Sequence, residues 1–385
     1  MGPGHHPAGD PRDLLCHRTG VPRYDIQAAF CGLDVRKAQV ETFQYLQPNA
    51  DFRTTFQYSN QMVTLAGYLL EVLSGQSWEG FVKERILDKL GMTRTNFEVD
   101  SLAEYEDSSK GYLFAGTDYM EAGYMRLKAF SPAGAIVSCA ADMAQYALFQ
   151  LGDGTWKGER MISKENLDMM HTHQMIGSPY FWSFDEIQSA EFGLCWFTDI
   201  YRGAPMLSHG GNTNGFSSQL TLLPKSDFGL VALSNATSSF SVNALSNILA
   251  DKVLGVGEIP DWNARYQGVF AGMMEGAMAG AAARADTKIP DTRPTRPLDE
   301  YYGTFRHPGF GSFALEQKDG ALTGKWNGFD AIFTHYHYDS YDMMLPLMGA
   351  TLPARFLSGA DGHIASLEVV LEPTPGLAPI VFAKE

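Results

Sequence analysis

Along this chain the spacing of apolar residues changes character twice, and the changes point to separately folded parts. Met62, Leu65, Ala66, Leu69, Leu70 and Leu73 recur at helical spacing and form one stripe, ended by Ser74-Gly75. A short helix is predicted from Asp13, closed by Gly20 and Pro22, with further helices over 33–46, 78–90, 140–151 capped by Ser138, 163–171 and 241–254. Before the last of these the period becomes that of strands, over 192–201, 206–211, 216–223 and 228–235, with a turn at Pro224-Lys225-Ser226-Asp227. The expected class is α+β: an antiparallel sheet flanked by helices, with a helical subdomain. An Ala-, Met- and Gly-rich helix over 262–284 and a linker of three prolines over 288–297 then give way to short strands, broken at Asp319-Gly320 and Asp361-Gly362. These strands predict a small β-barrel. The expected division is a disordered tail over 1–11, a first domain over 12–260, a helix and linker over 261–297, and the barrel over 298–385.

Composition narrows the partners. A length of 385 residues, 45% apolar and 19% charged, is ample for a globular core. The net charge of −15 argues against nucleic acid or an anionic membrane, since neutralising phosphate takes clustered Lys and Arg. Cys16, Cys31, Cys139 and Cys195 contain no Cys-x-x-Cys pair, so neither a zinc site nor a disulfide framework is indicated, and nothing in the sequence supports a Cys16–Cys31 bridge although one could form. No apolar stretch reaches the roughly 18 residues of a membrane span, and 1–10 has no signal-peptide pattern. A soluble chain without a cofactor is expected, its compartment open.

Two stretches could carry chemistry. Tyr58-Ser59-Asn60 stands where a loop meets the helical stripe, a usual place for catalytic groups, although Ser59 or Asn60 would serve equally as a helix cap. Ser208-His209-Gly210-Gly211-Asn212 puts two glycines in or beside a strand, where a ligand or another backbone comes close, or where a bulge ends the strand.

Together these stretches resemble the serine β-lactamase and penicillin-binding family, in particular its class C-like esterases and D-amino-acid peptidases. Leu14-Leu15-Cys16-His17-Arg18-Thr19-Gly20 resembles the family's Leu-Leu-x-His-x-Ser-Gly segment, and Tyr58-Ser59-Asn60 its Tyr-x-Asn motif. Leu87-Asp88-Lys89-Leu90-Gly91-Met92 and Ser131-Pro132-Ala133-Gly134 resemble later segments, and His209-Gly210-Gly211 falls where the family has Lys-Thr-Gly or His-x-Gly. The resemblance implies a small-molecule or short-peptide substrate, with Tyr58 moving protons, Asn60 holding the substrate amide and His209 providing a donor that faces a substrate carboxylate or hydroxyl. Gly210 and Gly211 would bring the backbone close to the substrate, and the N–H of Asn212 would supply half of an oxyanion hole.

One departure is large: no serine is followed three residues later by lysine, so the family's Ser-x-x-Lys nucleophile and its first strands are missing. Without that lysine, Tyr58 is expected to stay neutral, and the chain alone to transfer acyl groups weakly or not at all. An apolar groove left by the missing helix implies either a homo-oligomer or a need for that segment. The alternative is a non-catalytic relative that binds a ligand or peptide. The region over 298–384 resembles the lipocalin-like barrel often appended to this family. His335, His337 and Asp339 imitate half of a metal site on one strand face, but no second half follows, and His171 and His173 read as a solvated helix end.

Overall fold

The stripe that begins at Met62 folds as the helix Asn60–Ser74, and Gly75 takes a left-handed φ of 71° just past its end. The computed structural model describes residues 9–30, 32–114, 118–177, 183–318 and 320–385. Cys31, and with it the Cys16–Cys31 pairing, lies outside these residues, as does Asp319 of one predicted turn. The chain packs as two compact units. The first comprises Met1–Thr19, Phe52–Gln57 and Met62–Glu275, the second Gly20–Asp51, Tyr58–Gln61 and Gly276–Glu385.

In the first unit a seven-stranded antiparallel sheet runs Phe228–Ser234, Phe216–Leu223, Ala204–Thr213, Phe197–Tyr201, Glu191–Phe192, Met175–Ile176, with Ile187–Ser189 also on Phe197–Tyr201. Alternation sends neighbouring side chains to opposite faces. Leu207, Leu220 and Leu222 pack with Ala147 of the helix Ala140–Leu151, while Met206 and Leu223 pack with Ala244 and Ala250 of the helix Ser241–Val253. Asp251 fastens the second face: it is buried and accepts from Tyr201 Oη (2.7 Å), Arg202 Nε (2.7 Å) and Trp262 Nε1 (2.8 Å). The helix Ala140–Leu151 has the predicted bounds but not the predicted cap. Cys139 holds that position without a side-chain bond, and the Ser138 hydroxyl is taken by Thr95 Oγ1 at 2.8 Å. The predicted strand over 192–201 is broken at Cys195, whose φ is 60°.

The second unit is a closed barrel of eight antiparallel strands from Gly303–His307 to Ile380–Lys384. That last strand, unforeseen in the sequence, closes the barrel by pairing Val369 with Ile380 on one side and Phe305 with Lys384 on the other. Phe305, Phe313, Trp326, Phe333, Phe356 and Phe382 fill its core, joined by Tyr24, Phe30 and Leu46 from far upstream. The Phe30 ring stacks on Trp326 (5.4 Å, 12° between planes), Asn327 Nδ2 donates to the Phe30 carbonyl (2.9 Å), and the Tyr24 N–H donates to Glu372 Oε2 (2.7 Å). The helix Trp262–Asp286 buries only Trp262 and Tyr266. Among the described residues no helix is long and apolar enough to cross a membrane.

Candidate functional site

Tyr58 and Asn60 belong to the second unit, where they sit beside residues 22–27. The alternate residues of this stretch are anchors. Ser59 is fully buried and donates to the Pro22 carbonyl (3.1 Å), so its hydroxyl is spent on the backbone. Gln61, equally buried, donates to the Tyr24 carbonyl (3.2 Å) and to Gln27 Oε1 (2.8 Å). Tyr24 itself is buried in the barrel core with a left-handed φ of 48°. With 22 and 24 facing 59 and 61, the flanking residues are thrown together. The Arg23 guanidinium lies over the Tyr58 ring, 4.7 Å from its centroid, and donates through Nε to Asp25 Oδ2 (2.5 Å), while Asp25 Oδ1 accepts from Asn60 Nδ2 (3.0 Å). Tyr58 therefore has a cation at its face although the sequence has no Ser-x-x-Lys lysine.

His209, Gly210, Gly211 and Asn212 belong to the first unit and lie in unbroken register on the strand Ala204–Thr213, opposite Leu220, Gln219, Ser218 and Ser217. No bulge separates them. On the other edge the ladder with Phe197–Tyr201 ends at Ser208, so among the described residues this part of the strand has a sheet partner on one side only. A Cβ on Gly210 would stand 2.7 Å from Gln219 Oε1, whose buried amide is held by Asn243 Nδ2 (3.2 Å) and Thr221 Oγ1 (3.1 Å). The Asn212 side chain is occupied within the fold, its Oδ1 accepting from Ser217 Oγ (2.7 Å) and the Ser238 N–H (3.1 Å). Desolvation lowers the His209 pKa, against a smaller pull upward from the Gly210 carbonyl 2.8 Å from Nδ1. A carbonyl only accepts, so Nδ1 carries the proton, and Nε2 of the neutral ring is an acceptor rather than the donor expected from the resemblance.

The Leu14 to Gly20 segment supports the loop before Tyr58. Asp13, buried, accepts from Arg18 Nε (2.6 Å), Arg53 Nε (2.9 Å) and Arg53 Nη2 (2.8 Å). His17 is buried against Phe56 (5.7 Å) and Phe192 (5.0 Å), and its carbonyl accepts the Gln57 N–H (2.7 Å). The three-residue face expected of His335, His337 and Asp339 does not form, because the strand Phe329–His337 bulges and ends before Asp339. Asp339 is taken by Thr295 and Tyr301, and among the described residues no cluster of three candidate ligands could hold a metal ion. Of the helix end expected to be solvated, His173 is exposed but His171 is partly buried: its Nε2 meets Gln150 Oε1 at 2.8 Å and its ring meets Trp196 edge-on at 5.6 Å.

Comparison with known proteins agrees with this architecture. The pattern of the family described as Beta-lactamase matches residues 9–254, and one described as Domain of unknown function (DUF3471) matches 287–384. The unguisins hydrolase ungD' of Aspergillus campestris is 29% identical over 97% of this chain and 72% of its own length. Among solved structures, the octameric penicillin-binding protein homologue from Pyrococcus abyssi shares the fold with a TM-score of 0.57 at 16% identity, over 96% of this chain and 77% of that one. The D-amino acid amidase from Ochrobactrum anthropi SV3 shares it with a TM-score of 0.51 at 20% identity, over 65% of this chain and 73% of that one. With the family's pattern spanning well over half of its residues, the chain belongs to the β-lactamase family of serine hydrolases.

Proposed function

We propose that this chain serves acyl transfer on small esters, amides or D-amino-acid peptides, and that residues 1–385 by themselves perform it weakly or not at all. The observation that carries the first part is the fixing of Tyr58 and Asn60 by buried Ser59 and Gln61 in a chain of this family. Tyr58 would pass a proton between nucleophile and leaving group, Asn60 would hold the substrate amide, and the Asn212 N–H would stabilise an oxyanion, a contribution that reaches about 3–4 kcal/mol in acyl transfer. His209, neutral with Nε2 as acceptor, would take a hydrogen bond from a substrate hydroxyl. The unguisins hydrolase relative supports hydrolysis as the direction of the reaction.

The second part rests on the nucleophile: none of the serines stands three residues before a lysine. The same observation favours a second reading, a relative that binds a ligand or peptide without turning it over. Intact mass after incubation with a β-lactam or a fluorophosphonate tests the division. No adduct is expected, and a stoichiometric added mass within minutes would show a nucleophile that the Ser-x-x-Lys pattern does not reveal. A homo-oligomer belongs to the same proposal, and a single-chain mass by light scattering would remove it.

A further inference from the structure

We propose that Asp25 and Arg23 are positioning residues that make Asn60 present its carbonyl oxygen, so that the site selects ligands offering an N–H, amides and peptides, over isosteric esters. The inference rests on the acyl-transfer reading above and assigns that site its substrate preference.

An ionised Asp25 has only acceptors, so the amide group of Asn60 3.0 Å away must turn its NH₂ toward it, and the oxygen is directed elsewhere. Unlike most side-chain amides, this one has its orientation decided by chemistry. Asp25 is fixed in turn. It opens the helix Asp25–Ala29, but neither of its oxygens caps that helix. Oδ1 goes to Asn60 and Oδ2 to Arg23. Arg23 spans the gap, bonded to Asp25 at 2.5 Å and lying over the Tyr58 ring at 4.7 Å, so one side chain orients both the tyrosine and the carboxylate that orients the asparagine. Behind them, buried Tyr24 holds the segment in place, with its N–H on Glu372 and its hydroxyl on the Gln47 carbonyl.

A purely structural role fits poorly. The Arg23 and Asp25 side chains are 48% and 36% exposed, and ion pairs this open to water add little to stability. The anchoring of this stretch is already done by Ser59, Gln61 and Tyr24. What Asp25 adds is direction. A site with a fixed acceptor discriminates strongly against a ligand whose N–H has become an ether-like oxygen, because two acceptors then face each other.

The test uses the full chain, with N-acetyl-D-alanyl-D-alanine and its ester analogue N-acetyl-D-alanyl-D-lactate as probes, which differ by one N–H. Binding is followed by ¹⁵N–¹H spectra that include the Asn60 side chain. The wild type should prefer the peptide by about tenfold or more. Asp25→Ala and Asp25→Asn should bring the two within about twofold, Asp25→Glu should restore the preference, and Arg23→Gln should weaken it while Arg23→Lys retains part of it. Melting temperatures of the variants should stay near that of the wild type. The inference is overturned by an equal preference in wild type and Asp25→Ala, by no binding of either probe, or by lower melting with selectivity unchanged, which would mark a structural role. Reaction with the fluorophosphonate is read separately, so an adduct-forming chain without amide selectivity sinks this inference alone.

Discussion

His171 ends the helix Lys164–His171, where the helix dipole favours a cation, yet its pKa is pushed down to about 4. Burial against Trp196 and Gln150 outweighs both the dipole and the smaller upward pull of Asp168. The folded pKa lies below the roughly 6.5 of an unfolded histidine, so the unfolded chain binds the extra proton first. Stability from this residue is therefore complete above about pH 6.5 and lost as pH falls toward 4. Urea midpoints at pH 7 and pH 5 should differ in the wild type, and the gap should narrow in His171→Gln, which keeps a hydrogen bond but cannot titrate; buried His209 and His307 leave the remainder. Asp13 has the same sign and a lower window. Burial alone would raise its pKa, but Arg53, the Asp10 N–H and Arg18 hold it far below the carboxylate range, so its contribution is full above about pH 4 and fades in stronger acid. Asp13→Asn should lower unfolding free energy by about 2–4 kcal/mol, since it leaves two guanidinium groups without their carboxylate. At this scale the sequence was readable only in part. Tyr58, Asn60 and His209 stand out by type and spacing, whereas Arg23 and Asp25 are two ordinary charges around a tyrosine. Their placement depends on Tyr24 being anchored 348 residues away, which no local pattern encodes.

Elements with a single clear period were legible nearly to the residue: Phe216–Leu223 and Ala140–Leu151 fold over the predicted bounds. Those that tertiary bonds override were not. Ser138 had the right chemistry for a cap, but Thr95 claims its hydroxyl. The helix expected over 78–90 starts from its Ser77 cap and then widens to a π turn at Lys83–Leu87. Ile380–Lys384 was missed because it follows a Pro-rich stretch and alternates over only five residues. The helix Trp262–Asp286 gives a prediction of its own. Gly268, Gly272, Gly276 and Gly280 have nothing within 4 Å of where a Cβ would go, and glycine in a helix interior costs about 1 kcal/mol relative to alanine. Each Gly→Ala change should therefore stabilise the chain by about 0.5–1 kcal/mol in thermal unfolding. A loss at any of the four would reveal a contact made in solution at that position.

At the scale of the molecule, the sequence shows a helix-and-sheet part followed by a barrel, and both are present. It does not show that residues near the start complete the barrel core, because Tyr24, Phe30 and Leu46 carry no pattern that points to strands hundreds of residues later. Deleting 298–385 should thus do more than remove an appendage. Three side chains exposed 0%, 0% and 5% would lose their core, at about 1.5–3 kcal/mol for each large one, and the segment Gly20–Asp51 should become the first site of limited proteolysis. Equal protease resistance there in the full and shortened chains would contradict this. The same packing bears on synthesis. Glu372 follows Tyr24 by 348 residues, so a ribosome adding roughly 5–20 residues per second leaves an interval of roughly 20–70 s between them. For most of that time Tyr24 and Phe30 are outside the tunnel with no barrel to enter, and the frame that aims Arg23 and Asp25 can form only after the final strands have been translated.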